Sequence, residues 1–426
     1  MSGDPATDAA TSTRALLRVA PVRNLLGSSV LTSAGVMLQA TVLGKQVYDI
    51  TGRELDIGLL GLAEFLPAAL LVLVTGTVAD RFDRKLIGAL AIGAEALCSL
   101  ALMLYSLSEP TAVWPLFVIA VMFGVARAFA APSVRSIPPM VAPDGALPRT
   151  IALYSATWTS AAIIGPALGG LLYAIEPWVA YAVAAAMVAG GMLFILAIRF
   201  VNAPAPHDPH DESKKVSLHS ALEGLRFIRR TPILLAAISL DLFAVLFGGA
   251  VALLPAIAED RLGVGDVAYG WLRAAPGIGA ALMALILASR PVTRRVGRTL
   301  LLVVAVFGLA TVALGVTTSY LVAFVALVIL AGADMISVFI RSTLVPLVTP
   351  DDKRGRVMAV ENVFIGASNE LGAFESGVAA QAFGTQTAVI GGGVATVGIV
   401  ALYSVFFPTL RRVDRFEDLE TPENPR

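Results

Sequence analysis

Long apolar stretches separated by short polar ones dominate the chain. A helix needs about 20 apolar residues to cross a bilayer, and runs of that kind lie at 25–44, 57–79, 86–107, 112–132, 150–174 and 178–200. After a polar stretch, six more follow at 233–257, 266–289, 299–318, 320–340, 357–383 and 385–408. The pattern predicts an all-α integral membrane protein of twelve transmembrane helices in two six-helix bundles. Its expected parts are an N-terminal tail (1–24), a first bundle (25–200), a linker (201–232), a second bundle (233–408) and a C-terminal tail (409–426).

Composition agrees: 57% of the 426 residues are hydrophobic and 15% charged, against roughly 45–50% and about 25% in soluble domains. The 31 basic and 31 acidic residues cancel, so net charge points neither to nucleic acid nor to an acidic substrate. Position says more, because cytoplasmic loops retain Lys and Arg. Basic residues gather in the tails and in every second loop, as in Arg81-Arg84-Lys85, Arg135 with Arg149, Arg290 to Arg298, and Arg341 to Arg356. Lys45, Arg53 and Arg261 fall near the opposite face, and Arg127 and Arg273 inside spans. Both termini are therefore expected in the cytoplasm, and the chain is expected to be a multi-pass protein of a bacterial cytoplasmic membrane. The first twenty residues contain no apolar run with a cleavage site, so no removable signal peptide is expected. Cys98, the single cysteine, lies in an apolar run and offers neither a disulfide framework nor a zinc cluster.

The linker carries His207, Asp208, His210, Asp211 and Glu212 among Pro204, Pro206 and Pro209. A metal site is conceivable there, but a solvated linker is the reading preferred, since such side chains without a fold around them rarely make a specific site. No metal or cofactor is expected elsewhere. Leu218, Leu222, Leu225 and Phe227 alternate with Arg226, Arg229 and Arg230, an amphipathic pattern suited to a helix lying on the cytoplasmic membrane surface.

The halves repeat. Arg135-Ser136, Pro143-Asp144, Arg149 and Ala152 recur as Arg341-Ser342, Pro350-Asp351, Arg356 and Ala359, and Gly165 and Gly170 map onto Gly372 and Gly377, at offsets of 206 to 207 residues. Duplication of a whole bundle is a transporter signature, with the substrate site expected between the halves near the midplane. The loop after the second span, from Gly76 through Asp80, Arg81, Asp83 and Arg84 to Lys85, resembles the G-x-x-x-D-R-x-G-R-[RK] signature of the major facilitator superfamily, with Asp83 where the family usually has Gly. A carboxylate at a helix end beside several basic groups can latch one conformation through charge-assisted bonds. Arg294-Arg295-Val296-Gly297-Arg298 is a weaker copy without the aspartate. Gly165-Pro166-Ala167-Leu168-Gly169-Gly170 resembles the core of the motif carried by drug–proton antiporters of this superfamily, although small residues at this spacing also make a tight packing seam. The stretch from Arg341 to Gly377 is most similar to the branch containing enterobactin-type exporters and macrolide efflux proteins. The resemblance covers essentially the whole chain and implies the two-bundle fold, with the first, fourth, seventh and tenth spans lining a central cavity.

Ionisable groups inside a span are costly and by default functional. Those read here are Glu64, Glu95, Arg127, Asp241, Arg273, Asp334, Glu370 and Glu375. The span positions implied by the resemblance make Asp241 and Glu370 the first candidates for proton carriers, with Glu375 and Glu64 behind them. Arg273 is expected to pair with Glu375 or Glu370, or to form a static ion pair that fixes helix register. Arg127 and Asp334 occupy matching positions in the halves, as a latch or as part of coupling. Gln39, Phe243, Phe247 and Trp271 are candidates for substrate contact, while a helix–helix hydrogen bond explains Gln39 equally well. The expected function is export of a hydrophobic or amphipathic small molecule, a drug or a siderophore-like metabolite, in exchange for protons, by a monomeric carrier with no nucleic-acid partner. Coupled uptake and a non-transporting receptor are the alternatives. An enzyme is not expected, because the chain has no phosphate-binding loop and its three His all lie in the linker.

Overall fold

The structure, a computed structural model, describes residues 12–81, 83–200 and 218–419, and the side chains among them except at 72–74, 76–81 and 218–221. His207, His210 and the prolines at 204, 206 and 209 therefore lie outside the described residues, as does the side chain of His219. Helices account for the described architecture, with no strand among them: α1 (Ala20–Thr51), α2 (Glu54–Arg81), α3 (Arg84–Ser106), α4 (Trp114–Arg135), α5 (Leu147–Tyr173), α6 (Pro177–Leu196), α7 (Pro232–Phe247), α8 (Asp266–Ser289), α9 (Val296–Val316), α10 (Tyr320–Val348), α11 (Asp351–Phe383) and α12 (Thr385–Phe406). Among the described residues, 10 helical segments are long and apolar enough to cross a membrane. The other two long helices, α2 and α11, stand where the second and eleventh spans are expected, with 28 and 33 residues.

Local chemistry explains the boundaries. Proline in the first turn of α4, α5, α6 and α7 pre-sets the helical φ where no amide partner is needed. Asp83 is the N-cap of α3, its carboxylate accepting from the amides of Lys85 at 2.8 Å and Leu86 at 3.3 Å. The residue that departs from the loop signature thus starts the next helix. Gly52 and Gly384 take positive φ between α1 and α2 and between α11 and α12, where the chain reverses.

The seventh span is broken. After α7 the chain passes through a 3-10 turn at Gly249–Val251, a single turn at Leu254–Ala256 and a π turn at Ile257–Arg261. The tenth helix runs on to Val348, eight residues beyond the apolar run that predicts it. The helix at Leu218–Arg230 does not simply rest on a membrane surface. Ile228 is buried in a core with Val357 and Val360 of α11, and Glu223 bonds Arg356 at 2.6 Å, so it packs on that helix while Leu222 stays exposed.

Two compact units emerge, 1–50 with 63–212, and 51–62 with 213–426. In the first, α3 packs on α4 and α6; in the second, α9 packs on α10 and α12, the same arrangement shifted by six helices. The repeated glycines carry equivalent loads. A Cβ on Gly165 of α5 would meet the Ala34 carbonyl of α1 at 2.8 Å, and one on Gly372 of α11 would meet the Val245 carbonyl of α7 at 2.7 Å. The duplication legible in the sequence is thus also a duplication of helix contacts.

Candidate functional site

The second unit buries a cluster of four charged side chains from three helices. Asp241 of α7 is 6% exposed and Arg341 of α10 is 3% exposed, and Nη2 of Arg341 lies 2.8 Å from Oδ1 of Asp241. Glu361 of α11 comes within 3.7 Å of Nη1 of the same guanidinium. Its Nε reaches the Ser337 hydroxyl one turn earlier on α10, at 3.4 Å. Asp334, a further turn along that face, is within electrostatic reach of both Asp241 and Arg341. Beside them a cavity of about 10 Å³, enough for roughly one water, is lined by Asp241, Asp334, Ser337, Ala244 and Phe307 among others.

The geometry follows from the helices. Residues 334, 337 and 341 lie three and four apart and share one face of α10. α7 and α11 bring Asp241 and Glu361 to that face, at a level where the neighbouring side chains are apolar. One guanidinium cannot neutralise three carboxylates, and a buried net charge costs several kcal/mol per uncompensated ion.

Asp241 and Asp334 are among the intramembrane groups expected from the sequence, whereas Arg341 is expected in a basic loop and Glu361 is not among the candidates. The apolar run breaks at Arg341, and an Arg at the end of a hydrophobic run reads as a loop residue. The signal that finds it is the continuation Leu344-Val345-Pro346-Leu347-Val348, which keeps the helix inside the apolar layer. Arg273 is expected to meet an acid. It donates from Nη1 to the carbonyl of Val251 at 3.0 Å, capping the backbone that the break in the seventh span leaves open. Glu370 lies on α11 with Oε2 against Gly61, where a Cβ would come within 2.9 Å. Glu375 is half-buried on the same helix, and Glu64 of α2 sets its carbonyl against Gly124 of α4.

Gln39 is 2% exposed and accepts from the Ser99 hydroxyl, joining α1 to α3. This bond is a helix–helix contact. Phe243 and Trp271 are exposed and Phe247 half-buried, and none of the three lines the small cavity. Arg127 reaches Glu95 within its own unit. Of the loop signature, Gly76, Asp80 and Arg81 have side chains outside the described residues, while Lys85 donates to the Ile198 carbonyl at 2.8 Å and Arg84 follows the Asp83 cap. Gly165, Pro166, Gly169 and Gly170 are buried, with Gly165 and Gly169 against α1, so the fifth-span motif forms a packing seam.

Comparison with known proteins places this architecture. The family model described as "Transmembrane secretion effector" matches residues 11–425. The chain is 26% identical over 418 residues to the multidrug efflux pump Tap of Mycolicibacterium fortuitum, covering 92% of this chain and 97% of that one. It is 26% identical over 336 residues to the enterobactin exporter EntS of Shigella boydii serotype 4, covering 78% and 76%. Among solved structures, a bacterial homolog of the human lysosomal transporter Spinster superposes with a TM-score of 0.71 at 17% identity, covering 95% of this chain and 99% of that one, which shows the shared fold. The chain belongs to the transmembrane secretion effector family of the major facilitator superfamily, and is a multi-pass membrane transporter of small molecules, not an enzyme.

Proposed function

We propose that the protein exports a hydrophobic or amphipathic small molecule in exchange for protons, by alternating access, with the Asp241–Arg341–Glu361–Asp334 cluster as the coupling site. The observation that carries this reading is the buried guanidinium shared among three acids. Protonation of Asp241 weakens its hold on Arg341 and frees the guanidinium to turn to Glu361 or Asp334, so loading a proton changes which helices α10 is tied to. Such a switch gives the differential stabilisation of two states that coupling requires. Glu370, Glu375 and Glu64 remain candidates for carrying the proton onward, and the loop from Gly76 to Lys85 for latching one state. Phe243, Phe247 and Trp271 offer adaptable aromatic contact to an apolar ligand. The export direction is supported by the efflux pump and the enterobactin exporter that the chain resembles. In this reading the chain acts as a monomer in a bacterial cytoplasmic membrane, both termini in the cytoplasm, with bundles at 25–200 and 233–408.

The test is expression in a bacterial host lacking its own efflux pumps, challenged with macrolides, lipophilic cations and siderophores. The reading expects lower accumulation of at least one compound, abolished by an uncoupler and by Asp241→Asn. Export that persists with the proton gradient collapsed contradicts it.

A further inference from the structure

The first unit contains a second buried carboxyl group, and it is placed quite differently from the four-residue cluster. Glu95 of α3 is 3% exposed, and its Oε2 has no hydrogen-bond partner among the described residues. On its own helix it is flanked at three and four residues by Ala91, Ile92, Cys98 and Ser99, all buried, and these spacings share one face. Ser99 is committed elsewhere, donating to Gln39 of α1. The surrounding core is apolar and includes Ile92, Cys98, Phe123 of α4 and Val188 of α6.

The charges around it are few. Arg127 of α4 is the cation within electrostatic reach. From α6 the sole titratable side chain is Tyr181, whose hydroxyl is bonded to Gln46 at 2.8 Å. On α1, Lys45 is paired with Asp49, six residues or roughly 9 Å along the helix beyond Gln39, the residue that bonds Ser99 of α3. Glu64 of α2 touches α4 at Gly124, one turn from Arg127. Cys98 lies on the same face of α3, and Tyr154 of α5 packs against the same core.

An ionised carboxylate with an unsatisfied oxygen in an apolar core is unfavourable by several kcal/mol, whereas the neutral acid is tolerated far better. We infer that Glu95 is a second proton-binding site, which carries its proton in the conformation described and releases it when Arg127 or water closes on the freed oxygen. Burial without a donor gives Glu95 this role, and a guanidinium across the α3–α4 contact gives it somewhere to leave its charge. The inference is independent of the coupling read for Asp241, and the test separates the two.

The experiment is infrared spectroscopy of the full-length protein in liposomes, taken as wild type minus Glu95→Gln at neutral pH. The expected result is a carbonyl band of one protonated carboxylic acid, absent from Glu95→Gln, retained in Asp241→Asn and displaced in frequency by Glu95→Asp. Arg127→Gln is expected to keep the band to more alkaline pH than wild type. A wild-type spectrum that superimposes on that of Glu95→Gln in the acid carbonyl region overturns the site. A band whose pH dependence is the same in Arg127→Gln overturns Arg127 as the counter-charge.

Discussion

Arg341 sits among more negative charge than it can neutralise, and its removal therefore tests the cluster directly. Arg341→Gln leaves Asp241, Glu361 and Asp334 without their cation, a loss of about 3–5 kcal/mol for a broken buried pair. Thermal unfolding in detergent is expected to show a marked drop in Tm, and adding Asp241→Asn to the same chain is expected to recover part of it, because the strongest unpaired charge goes too. A double variant as unstable as the sum of the singles would separate Asp241 from Arg341. Asp241 and Asp334 were legible because acids inside apolar runs are conspicuous. Arg341 was not, since a hydrophobicity window cannot distinguish an Arg that ends a span from one whose charge is held by an acid 100 positions earlier in the chain. Gln39 illustrates the converse: residue type and depth leave substrate contact and helix pairing equally open, and the helix partner, Ser99, is visible only in the fold.

At the scale of elements, the helices are fastened by backbone approach as much as by side chains. Gly372→Val would drive its Cβ into the carbonyls of Val245 and Leu246, at 2.7 and 2.9 Å from an ideal Cβ. The expected cost is about 1–3 kcal/mol or more, seen as loss of monodisperse protein in size-exclusion chromatography. Gly398→Ala on α12, with open space around it, is expected to be neutral or stabilising by about 0.4–1 kcal/mol. If both variants behave alike, the seam is not what holds α7 to α11. The break in the seventh span adds a polar requirement. Arg273→Met removes the donor to Val251, and an unsatisfied buried carbonyl costs about 1–3 kcal/mol. A lowered Tm is expected, largely restored by Arg273→Lys. Most helices could be read from apolar runs, but this break could not, because its local signals, Gly248, Gly249 and Pro255, sit in a run that stays apolar up to Glu259. The linker helix was legible as amphipathic, while the partner for its apolar side, α11, was not, since a hydrophobic face does not say what covers it.

Over the whole molecule, one duplicated bundle has diverged in charge. The contacts of α3 with α4 and α6 repeat as those of α9 with α10 and α12, and Gly165 and Gly372 make equivalent contacts. Yet at matching positions the first half has Arg127, Tyr154 and Ala34 where the second has Asp334, Glu361 and Asp241. Tyr154 lies near Arg135 and bonds Ser29, a neutral counterpart to the contact of Glu361 with Arg341. At these three positions the second half carries acids that the first half lacks. The repeat, the loop signature and the family were readable from residues alone; the charged cluster needed the fold, because its members come from helices far apart in sequence. The most direct test of proton coupling is made with the purified protein in liposomes containing a pH-sensitive dye and holding an imposed proton gradient, to which an exported compound is added. The account predicts substrate-dependent proton movement in wild type that falls at least tenfold in Asp241→Asn. Proton movement unchanged in Asp241→Asn, or substrate transport with no proton movement at all, would contradict it.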